Sequence, residues 1–94
     1  MTFCTIVEFE WDETFNRERF ESMIKMAGAD QSPPEGCLSR IAGVDSEGAR
    51  MIEVWRSSDD ATAHAEKTAP DLSAGQWPTP SRVFGFDVTS YDVS

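Results

Sequence analysis

The chain has one histidine, two cysteines and few basic residues, and these shortages narrow its chemistry before any motif is read. Lys and Arg number 8 against 17 Asp and Glu, for a formal net charge of -9. With no run of basic residues to neutralise a phosphate backbone, nucleic acid is disfavoured as a partner. An anionic membrane surface is disfavoured for the same reason. Cys4 and Cys37 lie far apart with no CxxC or Cys/His spacing, so neither a disulfide framework nor a zinc site is expected. Two reduced, buried thiols are expected instead. No apolar run approaches the ~18 residues of a membrane span, and no charged segment precedes an apolar stretch at the N-terminus. The expected location is cytoplasmic, with neither metal nor cofactor required. No repeat, low-complexity tract or linker divides the sequence, so residues 1–94 are read as one domain. A chain of this length buries only about 60–70% of its unfolded surface, which makes a second copy a natural source of further burial.

What is present is a sequence of changing periodicities. Residues 2–11, TFCTIVEFEW, alternate and are rich in β-branched and aromatic side chains, which predicts a strand. Phe3, Thr5, Val7 and Phe9 share one face; Cys4 and Ile6 start the other. Phe20, Met23, Ile24 and Ala27 then follow helical spacing, capped by Asp12 or Thr14 and ending near Gly28. Residues 29–36 are loop, and residues 37–45 and 49–57 are strands around a turn at Ser46–Gly48, with Gly48 supplying positive φ. Two registers are open: a Ser46–Glu47 loop sets Arg40 opposite Glu53, and a Glu47–Gly48 loop sets it opposite Trp55. Ser57 or Ser58 caps a second helix that Asp59 and Asp60 favour at its positive end, and Pro70 should break or restart it. Residues 75–80 are loop, and residues 81–93 form a last strand with Phe84, Phe86 and Val88 on one face.

The order β-α-β-β-α-β gives an α+β, ferredoxin-like fold: a four-stranded antiparallel sheet with both helices on one face. Its other face would carry apolar side chains with no helix over them, and a second copy of the chain is the simplest cover.

Gly36-Cys-Leu-Ser-Arg-Ile-Ala-Gly43, Gly48, Glu53-Val-Trp-Arg-Ser57 and the acidic helix start resemble the dimeric α/β-barrel superfamily. Within it they look like the small bacterial members related to antibiotic-biosynthesis monooxygenases. The similarity runs from about Thr2 to Val93. The resemblance implies a homodimer with facing sheets and a small-molecule pocket between each sheet and its helices. Members include cofactor-independent oxygenases of electron-rich aromatics, haem-degrading enzymes and polyketide cyclases. Haem degraders need an asparagine in the first strand, and a tryptophan and a late histidine on the second helix; all three are missing here. The anthrone-oxidising members share Trp55 but carry asparagine and tyrosine where this chain has Met51 and Ala61.

His64 is nine residues past Trp55, where polyketide cyclases of the superfamily carry a catalytic tyrosine. The resemblance therefore turns it toward the pocket. Ala61, His64, Ala65, Thr68 and Leu72 also form one helical stripe, so His64 is a candidate general base, with Asp71 two turns on to orient it. The competing reading is a half-exposed histidine bonded to water or Asp60. Ala61, Ala63, Ala65 and Ala69 leave a thin helix face; either Trp55, Phe84 and Phe86 fill the gap, or a ligand does. Trp55 is a core residue or a flat wall for an aromatic substrate. Arg40 either holds a phenolate, enolate or carboxylate, or makes a cross-strand pair with Glu53 or stacks on Trp55. Trp77 covers a pocket mouth or packs on the dimer partner, and Tyr91 could reach across the dimer.

The candidate site is thus His64, Arg40 and Asp71 for catalysis, with Trp55, Met51, Ala61, Phe84, Phe86 and Trp77 around an aromatic or polyketide-like ligand. Three functions fit: a cofactor-free monooxygenase of specialised metabolism, a polyketide cyclase or isomerase using the same base, and a non-catalytic small-molecule-binding dimer.

Overall fold

The computed structural model describes residues 1–26, 33–74 and 77–92, apart from the side chains of 26 and 71–74. The elements are β1 (Phe3–Glu10), α1 (Arg17–Met26), β2 (Cys37–Val44), β3 (Gly48–Trp55), α2 (Ser58–Ala74) and β4 (Arg82–Asp87). The strands make one sheet in the order β2-β3-β1-β4, with every neighbouring pair antiparallel. This is the ferredoxin-like α+β arrangement.

Pairing sorts the side chains into rows across the sheet, because directly opposed residues of antiparallel strands share a face. On the face packed by the helices, one row reads Cys37, Trp55, Phe3, Asp87 and the next Arg40, Glu53, Thr5, Gly85. Ala42, Met51, Val7 and Val83 follow, and then Val44, Ala49 and Phe9. The core gathers around the last of these rows: Phe9, Phe15, Phe20, Met23 and Ala49 are buried, with Trp11 and Trp77 packed against them. Phe15 and Phe20 meet edge to face, their centroids 6.1 Å apart. At the opposite end of the sheet Trp55, only 1% exposed, packs under α2 against His64.

The other face carries Ile41, Ile52, Ile6 and Phe84 in one row, and Ser39, Val54, Cys4 and Phe86 in another. No helix covers it: Ile41 is 63% exposed and Phe86 46%. A charged row of Arg50, Glu8 and Arg82 borders it, with Arg50 Nε 2.8 Å from Glu8 Oε2.

Several sequence expectations need correction. The cap of α1 is Asn16, whose Oδ1 accepts the Arg19 N–H at 2.8 Å. Asp12 instead closes a turn by accepting from the Thr14 and Phe15 amides. Gly48 does not supply a positive φ; among the described residues the glycine with that geometry is Gly36, at φ 84°. Gly48 is required for another reason, since a Cβ there would lie 1.8 Å from the Phe9 carbonyl oxygen. Pro70 does not end α2, which runs through it to Ala74. β4 stops at Asp87, well short of residue 93. Gly28, residues 29–32 and Gly75 lie outside the described residues.

Candidate functional site

The hairpin register decides where Arg40 stands. Ser46 and Glu47 are the loop residues, closed by Asp45 N–H to the Gly48 carbonyl at 2.9 Å. The Asp45 carboxylate accepts from both the Glu47 and Gly48 amides, which also holds its pKa below the ordinary value of 3.8. Arg40 is therefore opposite Glu53, with Nε 3.0 Å from Glu53 Oε2. Both side chains are largely buried, at 19% and 14% exposure. The cation is thus balanced by a carboxylate.

Trp55 follows two residues after Glu53 on the same face. Its indole N–H donates to Thr5 Oγ1 at 3.2 Å, which meets the need of a buried donor. The His64 ring lies over it, centroids 5.0 Å apart and planes tilted by 39°. Ser57 fixes the start of α2 by accepting the Asp60 amide at 3.2 Å, and the two side chains bond to each other. Gly36 packs tightly there, since a Cβ would come within 2.9 Å of Asp60 Cβ. With its start anchored on Gly36, α2 carries His64 above Trp55.

His64 is half-buried, and burial pushes its pKa below the ordinary 6.5. Glu53 opposes that shift, while Arg40 and Lys67 add to it. The imidazole is therefore neutral at pH 7 and able to accept a proton. Cys37, in the same row as Trp55, is half-buried rather than buried, and its Sγ–H donates to the Ser39 carbonyl at 3.3 Å. Burial and then Glu53 push its pKa up, with Arg40 opposing, so it is a thiol at neutral pH. Cys4 is buried on the other sheet face, and burial pushes its pKa up too.

The structure thus brings together His64, Trp55, Arg40 and Glu53, with Thr5 and Cys37 beside them. Ala61 is buried one turn before His64, and Met51 is half-buried in the row next to Glu53. Phe84 and Phe86 are on the opposite sheet face: they pair with Ile6 and Cys4, whereas Trp55 pairs with Phe3. They cannot fill a gap beside Trp55. Trp77 does not cover this group either; it packs on Phe9 and Phe20, centroids 5.9 and 6.4 Å away. Phe9 is six residues along β1 from the partner of Trp55, about 20 Å at strand rise. Ala63, Ala65 and Ala69 are exposed, so among Ala61, Ala63, Ala65 and Ala69 it is Ala61 that faces the sheet. The side chain of Asp71 lies outside the described residues. Tyr91 is exposed.

In the sequence Glu53 is marked only as a partner for Arg40, and nothing there brings Thr5 or Cys37 into the candidate site. Once the register is known, the alternation of β1 and β3 would have placed Glu53 and Thr5 in one row. Among the described residues no three His, Cys, Asp or Glu side chains cluster as metal ligands. No helix among them is long and apolar enough to cross a membrane. A shallow groove on α1, lined by Asn16, Glu18, Arg19, Ser22 and Met23, shares no residue with the group.

No protein-family model and no curated protein sequence matches this chain. Among solved structures, a protein of Chloroflexus aurantiacus J-10-fl assigned as an antibiotic biosynthesis monooxygenase aligns over 100% of both chains, with a TM-score of 0.70 and 15% identity. At that identity the likeness establishes a shared fold.

Proposed function

We propose that this protein is a homodimeric, cofactor-independent enzyme of specialised metabolism, a monooxygenase acting on an electron-rich aromatic or enolisable substrate of polyketide type. The observation that carries the reading is His64: a neutral imidazole laid on an aromatic wall, next to a shielded Arg–Glu pair on the helix-covered sheet face. The shared fold with a protein assigned as an antibiotic biosynthesis monooxygenase supports the same class. The dimer is a proposal from the uncovered face around Ile41 and Phe86.

His64 removes a proton from an acidic C–H or phenol of the substrate, and the electron pair stays on the substrate as an enolate or phenolate. Trp55 supports the flat ring, and the terminal nitrogens of Arg40 face the developing anion. The carbanion gives its electrons to O₂, forming a substrate peroxide. Loss of water from it turns the original CH₂ into a carbonyl, so that one oxygen atom enters the product and the other leaves as water. Asp71 is proposed to orient the imidazole, and Met51 and Ala61 to line the substrate.

A second reading uses the same base. Arg40 is already neutralised by Glu53, which suits a substrate whose anion is consumed within the molecule, as in an aldol cyclisation or isomerisation. Oxygen-electrode assays with anthrone-type ketones and 1,3-diketones separate the two. Uptake of one O₂ per carbonyl formed, abolished by H64A, supports the oxygenase. Turnover without uptake supports the cyclase or isomerase. Binding of these probes with neither reaction, and unchanged by H64A, leaves a small-molecule-binding dimer.

A further inference from the structure

In that chemistry Glu53 only balances the charge of Arg40, yet its setting is unusual. Its Oε2 is shielded from solvent and accepts no hydrogen bond. Arg40 Nε is 3.0 Å away, but its N–H does not point at the oxygen, so the contact is Coulombic rather than a hydrogen bond. A shielded carboxylate oxygen left in this state lowers stability, and such atoms in native proteins call for a reason.

The missing donor is close. Glu53 and Trp55 are two residues apart on β3 and share a face, about 7 Å from one another at strand rise. The His64 ring rests on Trp55 and lies close enough to Glu53 for the carboxylate charge to act on it. Three charged groups act on the imidazole. Glu53 from β3 favours its protonated form; Arg40 from β2 and Lys67 from its own helix disfavour it. Cys37 from β2 shares the row of Trp55 and carries no charge at neutral pH.

We propose that Glu53 is a positioning residue for His64, its carboxylate the acceptor that awaits the N–H of the imidazolium formed when His64 takes a proton from a ligand. This deepens the reading of His64 as the base and rests on it. In the resting protein the neutral imidazole needs no counter-charge, and Oε2 stays unmet. On proton transfer the bond to hydrogen in the ligand breaks and its electrons remain on the ligand. One ring nitrogen then holds the new proton, and the N–H on the other turns to Glu53. The carboxylate takes no proton; it stabilises the cation and fixes the ring, while Arg40 anchors the carboxylate from β2. The acceptor is in place before the charge exists, which is the preorganisation that lowers a barrier.

The test needs no ligand. With one histidine per chain, the ¹⁵N and ¹H signals of the imidazole can be followed through a pH titration in the wild type and in E53Q, E53D and R40Q. The His64 midpoint is expected to fall in E53Q, to recover in part in E53D and to rise in R40Q. Below the midpoint, one imidazolium N–H of the wild type should exchange slowly with solvent, and E53Q should lose that protection. A simple charge effect would move the midpoints and leave both N–H protons in fast exchange, which would overturn the proposal. An unmoved midpoint in E53Q would overturn it too. If E53Q does not fold, the wild-type exchange measurement decides alone. These results stand apart from oxygen uptake, so the pair can be upheld while the oxygenase reading fails, and the reverse.

Discussion

Replacing Thr5 with valine tests what holds Trp55, and through it His64. Thr5 Oγ1 is the acceptor for an indole N–H on a residue only 1% exposed, at 3.2 Å. Valine keeps the branched shape and the preference for strands but removes the acceptor. Loss of a partner for a buried donor costs about 1–3 kcal/mol. The methyl that replaces the hydroxyl returns roughly 0.8 kcal/mol at most. The balance is a destabilisation of about 0.2–2 kcal/mol, or a Tm lower by up to about 15 °C for a domain of this size. T5S keeps the hydroxyl and loses only a methyl, so it should stay within ~1 kcal/mol of the wild type. Thermal or urea unfolding must be run at one protein concentration, because the proposed dimer would make the midpoint depend on it. A T5V protein as stable as the wild type, or T5S as damaged as T5V, would refute the claim that this hydrogen bond fixes the tryptophan.

Four further outcomes are expected. I41D places a charge on the uncovered sheet face, where Ile41 is 63% exposed; sedimentation should show a folded monomer in place of a dimer, and an unchanged dimer would move the interface elsewhere. G48A drives a Cβ to within 1.8 Å of the Phe9 carbonyl oxygen, so it should cost at least the ~1–3 kcal/mol of ordinary overpacking in a urea melt. P70A restores an amide donor within α2 and should raise stability, by up to about 3 kcal/mol. Because burial lowers the His64 pKa, the unfolded chain binds more protons than the folded one just below pH 6.5. The His64 contribution to stability is therefore complete above pH 6.5, declines as pH falls from there to the folded pKa and is level below it; H64Q should flatten that segment of the profile.

The parts of this fold that were legible in the sequence are those set by short-range pattern. Alternation in residues 2–11 predicts β1, and the change to helical spacing after Phe15 predicts α1. The βαββαβ order then leads to the observed sheet with few alternatives. What the pattern leaves open is which of two apolar faces a strand turns to the helices. Phe84 and Phe86 plainly share a face, but only pairing with Ile6 and Cys4 shows that it is the uncovered one. The hairpin is similar. Ser46–Glu47 and Glu47–Gly48 are both workable two-residue loops, and the choice comes from the Asp45 carboxylate capping two amides and from the space under Phe9 that Gly48 fits.

The candidate site was legible to the same degree. Trp55 is marked by the family resemblance, and His64 by the same resemblance and by its place on a helical stripe; the rings do lie together. Arg40 was identified by residue type, and its pairing with Glu53 depends on the register. Pro70 misled because a proline inside a helix costs stability without forbidding the helix, and α2 continues through it. Ala63, Ala65 and Ala69 open no gap against the sheet because helical phase turns them to solvent.

The central claim is that His64 is a neutral base in a ligand site, and an NMR titration of its imidazole tests this most directly. The expected result is a midpoint below 6.5 together with a shift of the imidazole signals when an anthrone-type ketone or a 1,3-diketone is added. A midpoint at 6.5 or above, with no response to any such ligand, would contradict the account and make His64 a surface side chain.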